Sequence, residues 1–308
     1  MAAPRVIHTA QALVDAVLEV PVLPARGGNV MAGSYHRYAG GAVTILLAAA
    51  RSGARAVHAG AVGTGPNGDL VRAALAAEGV ELSAPPVPDL DTGVCVVLVE
   101  PTAERTFVTT QGAEREISIA SLATSDPGPG DLVCVSGYSL LGRTRDPLVE
   151  WLGALGPEVV VVLDPGAALV EVEARVRDAV LDRTDVWTGN ADEADALAGV
   201  RGIREAAQVV AAMLRPGAVT IVRDGPRGCL VREGDEQVFV PGHPRRPVDT
   251  NGAGDTHTGV LLAERAAGLP WADAAARANA AGALKVTRRG PDTAPTRAEI
   301  DAFLGAPS

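Results

Sequence analysis

Short runs of β-branched and other apolar residues alternate along this chain with longer Ala- and Leu-rich stretches whose apolar positions recur every three or four residues. Runs of the first kind predict buried strands at 55–62, 131–136, 159–163, 185–188 and 219–222. Stretches of the second kind predict helices over 69–78, 147–155, 170–181, 192–197 and 204–214, each with one apolar face to lay on a sheet. Such alternation builds an α/β body, a doubly wound, mostly parallel sheet flanked by helices. Segments 16–39 and 91–112 break the pattern, being extended without an intervening helix. The second reads as a hairpin, with strands at 94–99 and 105–110 around a turn at 101–104. Together they predict a small β-sheet lid over the edge of the main sheet. The expected division is a first core strand in 1–15, lid in 16–39 and 91–112, and core in 40–90 and 113–308. The Pro-rich piece 85–88 reads as a connector.

The 308 residues are 47% apolar and 21% charged, enough for a substantial core in one large or two modest domains, which excludes general disorder. With 27 Lys and Arg against 37 Asp and Glu, the net charge of −10 repels phosphate backbones. Arginines come at most in pairs, so nucleic acid is not an expected partner. Cys95, Cys134 and Cys229 are widely spaced and suit buried thiols of a reducing compartment, not a disulfide framework. The five histidines show no metal-binding spacing. The longest apolar stretch, 42–50, is half the ~18 residues a membrane span needs, and no export signal opens the chain. A soluble, cytoplasmic protein is expected.

Two glycine-rich loops could cradle phosphate. Gly63-Thr64-Gly65-Pro66-Asn67-Gly68 fits GxGxxG and joins a strand to a helix, the context of a dinucleotide site and so of an oxidoreductase. It stands far from the first strand, however, and no acidic residue follows where a ribose would need it. A tight turn is the stronger reading. The second loop, Asp249-Thr250-Asn251-Gly252-Ala253-Gly254-Asp255, opens a helical stretch over 256–267. Glycines at 252 and 254 allow a sharp turn that leaves amide N–H groups bare where a helix begins, a ready anion site. Asp255 falls in the first helical turn, where the helix dipole favours the carboxylate, so it is expected to be ionised at neutral pH and able to take a proton. An anion hole beside a base is what attack by a hydroxyl on a phosphoryl group requires, because positioning and charge stabilisation dominate that chemistry.

Residues 249–255 resemble the DTxGAGD motif of the ribokinase (PfkB) family of carbohydrate and nucleoside kinases at every fixed position. The resemblance extends over nearly the whole chain. It includes Asp15, Gly40-Gly41, Arg51-Ser52-Gly53, Val62-Gly63, Asp91-Thr92-Gly93, Asp164-Pro165, Asn190 to Glu193, Gly225 with Gly228, and Val286-Thr287-Arg288 with Gly290. It implies a ribokinase-like fold with a small lid, and ATP-dependent transfer of the γ-phosphoryl group to an alcohol, a primary hydroxyl of a small sugar. It assigns Asp255 as the base, with the amides of Gly252, Ala253 and Gly254 around the transferring phosphate. Asn190 and Glu193 match an NxxE element that organises Mg²⁺ and phosphates, often through water; the same residues read as a helix capping pair. Gly225, Gly228 and Asn279 would border the nucleotide, although Asn279 equally suits an ordinary polar position on an Ala-rich helix. In some relatives residues matching Asp249 and the Gly290 loop hold a monovalent cation, K⁺.

On the acceptor side the resemblance makes Asp15 the ligand of sugar hydroxyls and Gly40-Gly41 the loop that closes on the sugar. Departures are present too. Leu13 stands where ribokinase proper has Asn, Ala42-Val43-Thr44-Ile45 lacks the Lys and Asn found there, and Arg223-Asp224 replaces a common Thr. Missing polar partners cost ~1 to 3 kcal/mol each, so the preferred polyol should differ from ribose. A nucleoside or phosphosugar kinase is the nearest alternative; a nicotinamide-dependent oxidoreductase and a non-catalytic sugar-binding protein stand further off. A homodimer through the lid is expected from the exposed apolar strands there.

Overall fold

The computed structural model describes residues 3–102 and 104–305. In chain order the elements are β1 Arg5–His8, β2 Ala12–Glu19, β3 Ser34–Gly41, α1 Ala42–Arg51, β4 Arg55–His58, α2 Pro66–Ala77, β5 Glu81–Leu82, β6 Val94–Val99 and β7 Arg105–Thr109. There follow α3 Ile119–Ala123, β8 Leu132–Ser136, α4 Arg145–Ala154, β9 Val160–Asp164, α5 Ala174–Arg183, β10 Val186–Asn190, α6 Ala191–Ala198, α7 Ile203–Met213 and β11 Val219–Arg223. The chain ends with β12 Gly228–Glu233, β13 Glu236–Pro241, α8 Ala253–Ala266, α9 Trp271–Lys285 and α10 Arg297–Gly305.

The large sheet has the order β13-β12-β11-β10-β9-β8-β1-β4-β5. From β11 to β5 its neighbours run parallel, while β12 and β13 are antiparallel additions. Successive side chains of a strand point to opposite faces, and here both faces are apolar. Val6, Leu132, Cys134 and Val162 pack with α1, α8, α9 and α10 on one side; Ile7, Val133, Val135, Val161 and Trp187 pack with α4 to α7 on the other. Burial on both sides explains why these strands read as continuous apolar runs.

The smaller sheet, β3-β2-β6-β7, is separate, as the extended segments predict. Its boundary differs from the expected one: Ala12 to Asp15, assigned to the first core strand, lie in β2 and pair with β3 and β6. The chain leaves the large sheet after His8, and β2 then buries alternate residues as a one-faced strand does. Residue 103, in the expected turn at 101–104, lies outside the described residues.

Two other boundaries move for identifiable reasons. The run 55–62 is strand only to His58, because Gly60 meets the chain near Ala10, where a Cβ would come within 2.6 Å of the Ala10 carbonyl. Residues 59–62 are nonetheless buried, so an apolar loop imitates a strand. The stretch 170–181 is broken at Val172, which is extended and buried, so that α5 begins only at Ala174. No helix among the described residues is long and apolar enough to cross a membrane.

Candidate active site

At Gly252 the backbone turns left-handed (φ 74°), a conformation glycine adopts without a Cβ penalty, and α8 starts at the next residue. The first amides of a helix have no partner within it. Thr256 N–H donates back to the Gly252 carbonyl, and Ala253 N–H reaches the Thr250 carbonyl at 3.3 Å. The Gly252, Gly254 and Asp255 amides have no hydrogen-bond partner among the described residues. Of the three amides expected to form the anion hole, those of Gly252 and Gly254 are thus unpaired and that of Ala253 is partly engaged by its own loop, while the Asp255 amide, which was not among them, is unpaired too.

The carboxyl of Asp255 departs from the expected charge state. Burial pushes its pKa up to about 7; nearby Asp164, Asp15 and Glu193 add to the rise, against the pull of Arg223. These effects outweigh the helix dipole, worth ~0.3 to 1 kcal/mol, so near neutral pH the carboxyl is poised between its two forms. A group with a pKa close to working pH is suited to accept a proton.

Below the hole, Arg223 ends β11 with its side chain only 12% exposed. Its Nη1 donates to Thr258 Oγ1 at 2.9 Å and Thr188 Oγ1 at 3.2 Å, and Thr258 donates to Asp164 Oδ2 at 3.0 Å. Beside it, Asn190 and Glu193 form both reciprocal bonds of a capping box at the start of α6: Asn190 N–H donates to Glu193 Oε2 and Glu193 N–H to Asn190 Oδ1, each at 2.8 Å. Burial raises the Glu193 pKa, opposed by Arg223. The capping box leaves Glu193 Oε1 without a hydrogen bond among the described residues, an oxygen a hard cation could use directly or through water. No group of three or more His, Cys, Asp or Glu is placed to hold a metal among the described residues. A cation carried on a triphosphate would take its other ligands from phosphate and water.

A cavity of about 420 Å³ runs from this corner, lined by Asn190, Arg223, Gly225, Gly228, Gly254 and Asn279 among others. All the residues expected to border a nucleotide therefore meet there. Gly228 is required by packing as well, since a Cβ would come within 2.1 Å of the Val240 carbonyl. Asn279 is 8% exposed on the cavity wall and donates to the Val240 and Pro241 carbonyls at 3.1 and 3.2 Å. His257 also lines the wall, buried, with neither ring nitrogen hydrogen-bonded and a pKa lowered by burial to about 3, so it is a neutral imidazole.

Asp15, in mid-β2, faces the same centre, and burial raises its pKa to about 6. Gly40 lies against it so tightly that a Cβ would come within 2.3 Å of Asp15 Oδ2. Gly41 (φ 62°) starts α1, packed on the Gln11 carbonyl. Asp249 and Gly290 come together too, but through a hydrogen bond: Gly290 N–H donates to Asp249 Oδ2 at 3.0 Å. The other carboxylate oxygen accepts from Arg105 Nη2 at 2.8 Å and Asn251 N–H at 2.9 Å. The fully buried ammonium of Lys285 stands 3.4 Å from the Asp249 carbonyl oxygen. A monovalent cation on Asp249 would meet a carboxylate already satisfied and two cationic side chains, so these residues do not fit one.

The other glycine loop is closed. The carboxylate of Asp91 accepts from the amides of Asn67 and Gly68 at the start of α2, and from its own neighbour Thr92. Burial alone would raise the Asp91 pKa, but these N–H groups, with Arg37, hold it below the usual carboxylate range. A Cβ at Gly63, Gly65 or Gly68 would come within 2.3 Å of neighbouring atoms. The loop is a tight turn filled by protein, and the dinucleotide reading falls.

Arg223, Arg105 and Lys285 were not found from the sequence as site residues. Arg223 showed only as a departure from a common Thr; the other two gave no local signal.

A family model described as pfkB family carbohydrate kinase matches residues 6–298. The chain is 32% identical over 292 residues to an uncharacterized sugar kinase, YegV, of Escherichia coli K12, covering 94% of this chain and 90% of that protein. It is 28% identical over 300 residues to a ribokinase of Haemophilus influenzae, covering 94% and 95%. A fructokinase double mutant of Vibrio cholerae, solved with fructose, ADP and potassium ion, superposes with a TM-score of 0.79 at 25% identity, covering 99% of this chain and 100% of that one.

Proposed function

The chain belongs to the pfkB family of carbohydrate kinases, and on that footing we propose that it moves the γ-phosphoryl group of ATP to a hydroxyl, a primary one, of a small sugar. The observation that carries this reading is the open start of α8, with unpaired amides beside a carboxyl of pKa about 7, at the end of a cavity large enough for a nucleotide.

In this reading the triphosphate enters along Gly225, Gly228 and Asn279, with its terminal phosphate on the amides of Gly252, Gly254 and Asp255. Mg²⁺ would be held by the phosphates, water and Glu193, with Asn190 orienting that carboxylate through the capping box; it would draw charge from the phosphoryl oxygens. The sugar lies on Asp15, with Gly40 and Gly41 behind it. Asp255 takes the hydroxyl proton as the oxygen approaches phosphorus. The smaller sheet closes over the site as a lid and excludes water that would hydrolyse ATP.

Leu13 and the apolar start of α1 leave fewer polar partners for a sugar than ribokinase proper has, which favours a polyol other than ribose. Phe107 and Val108, 56% and 60% exposed on β7, support a homodimer formed through the smaller sheet. The reducing-compartment character of three buried free thiols supports a cytoplasmic site of action.

The direct test incubates the protein with ATP, Mg²⁺ and panels of free sugars, sugar phosphates and nucleosides, and follows ADP release and product mass. One free sugar should gain a single phosphoryl group well ahead of the rest. Preferred transfer to a nucleoside or a phosphosugar would replace the acceptor assignment, and no transfer to any of them would overturn the reading.

A further inference from the structure

Arg223 has one edge occupied and one edge free. Its Nη1 is fixed by Thr188 and Thr258. Nε and Nη2 make no hydrogen bond among the described residues, although acidic groups are near: Asp164 Oδ2 is 3.6 Å from Nη1, and Glu193 Oε2 is 3.7 Å from Nη2. Neither carboxylate is grasped in the two-pronged manner typical of an arginine held for structure. The start of α8 lies over the face of the guanidinium, since a Cβ on Gly254 would stand 3.8 to 3.9 Å from Nη2, Cζ and Nε alike, and the side chain lines the cavity with Asn190 and Gly228. A largely buried guanidinium thus lines the cavity beside an unpaired helix amide, with N–H groups on Nε and Nη2 that no described residue accepts.

We propose that the Nε/Nη2 edge of Arg223 grips the terminal phosphates of the nucleotide in a bidentate manner, alongside the α8 amides. This rests on the phosphoryl-transfer reading above. In the step itself, the acceptor oxygen bonds to the γ-phosphorus as the bond from that phosphorus to the β–γ bridging oxygen breaks. ADP leaves with the bond's electron pair, and the hydroxyl proton goes to Asp255. Negative charge shifts onto the bridging oxygen during the transfer, and a fixed guanidinium touching the β- and γ-phosphate oxygens stabilises it more in the transition state than in the ground state. Arg223 is then a catalytic residue that this chain has where a threonine is common.

The test compares Arg223→Lys and Arg223→Met with the wild type, measuring kcat, KM for ATP, and binding of ATP, ADP and AMP. For Arg223→Met, kcat should fall by about 10²-fold or more, the usual cost of one preorganised charge-stabilising donor. ATP and ADP should bind more weakly while AMP binds as before, since AMP lacks the phosphates in question. Arg223→Lys keeps a point charge without the fork and should still lose about tenfold in kcat. Equal weakening of ATP and AMP would mean that Arg223 merely shapes the cavity through Thr188 and Thr258. That result, or a Met or Lys variant within about threefold of the wild-type kcat, would overturn the proposal. The kinase reading fails separately: in that case the wild type itself transfers nothing.

Discussion

Arg105 Nη2 lies 2.8 Å from Asp249 Oδ1, joining the first residue of β7 to the loop that leads into the α8 start. The two residues are 144 positions apart in the chain. Both side chains are about one-fifth exposed, so the pair contributes little to global stability, on the order of 1 kcal/mol or less. Its consequence is positional, because it ties the smaller sheet to the loop that opens α8.

Replacing Arg105 by Met should therefore leave the melting temperature within a few degrees of wild type. The ratio of ATP hydrolysed to sugar phosphorylated should rise by roughly three- to tenfold as the sheet closes less firmly. Parallel assays of ADP and sugar phosphate check this, and an unchanged ratio would show that closure does not depend on the pair.

The raised pKa of Asp255 gives a signed pH dependence. The free enzyme's kcat/KM should climb with pH up to about 7 and then level, because the base must be unprotonated to act. Stability runs the other way. Between 3.8 and about 7 the folded protein keeps a proton that the unfolded chain releases, so this group's contribution to stability is greatest at low pH and is lost as pH rises through about 7. Asp255→Asn should thus melt higher than wild type at pH 8, while kcat falls by ~10² to 10⁴-fold and ATP still binds. Thermal melts at pH 5 and 8 decide the first point: equal wild-type-to-variant differences at both would contradict the assigned shift.

Gly40→Ala places a methyl against the Asp15 carboxyl, 2.3 Å from Oδ2. Since β2 and β3 are paired at this level, the strand cannot withdraw without breaking the ladder. KM for the sugar should rise by roughly tenfold or more, with nucleotide affinity unchanged, as expected when a polar ligand of the acceptor is displaced. Calorimetric titration with ATP alone separates this from general damage.

Lys285 already supplies a positive charge at the Asp249 carbonyl. Burial lowers its pKa, while Asp249, Asp292 and Asp255 favour the charged form. The wild-type rate should accordingly differ less than about twofold between potassium and tetramethylammonium salts at equal ionic strength, which keeps screening constant. Lys285→Ala should be slower and should regain rate in potassium. Strong potassium activation of the wild type would show that a cation binds elsewhere on the loop.

The parts of the site legible in the sequence were those that sit next to one another in it. The loop from Asp249 to Asp255 contains its glycines, its helix start and its carboxyl in one stretch, and Asn190 with Glu193 has the spacing of a capping box. The strands were legible because burial on both faces leaves long apolar runs. What escaped were relationships formed only by folding. Asp15 looked like the end of a core strand until β2 was seen to pair with β6. Lys285, at the end of α9, gave no local sign that it would meet the Asp249 carbonyl. The charge state of Asp255 depends first on its burial and then on Asp164, Asp15 and Glu193, which no local pattern brings together.

Both α2 and α8 open on glycine-rich loops, and in the first Asp91 occupies the place an incoming anion would take. Phosphorylated metabolites at cellular concentrations therefore find the start of α2 shut and that of α8 open. Exchanging Asp91 for a neutral residue would do more than loosen a turn: it would give those metabolites a second landing place, away from the base.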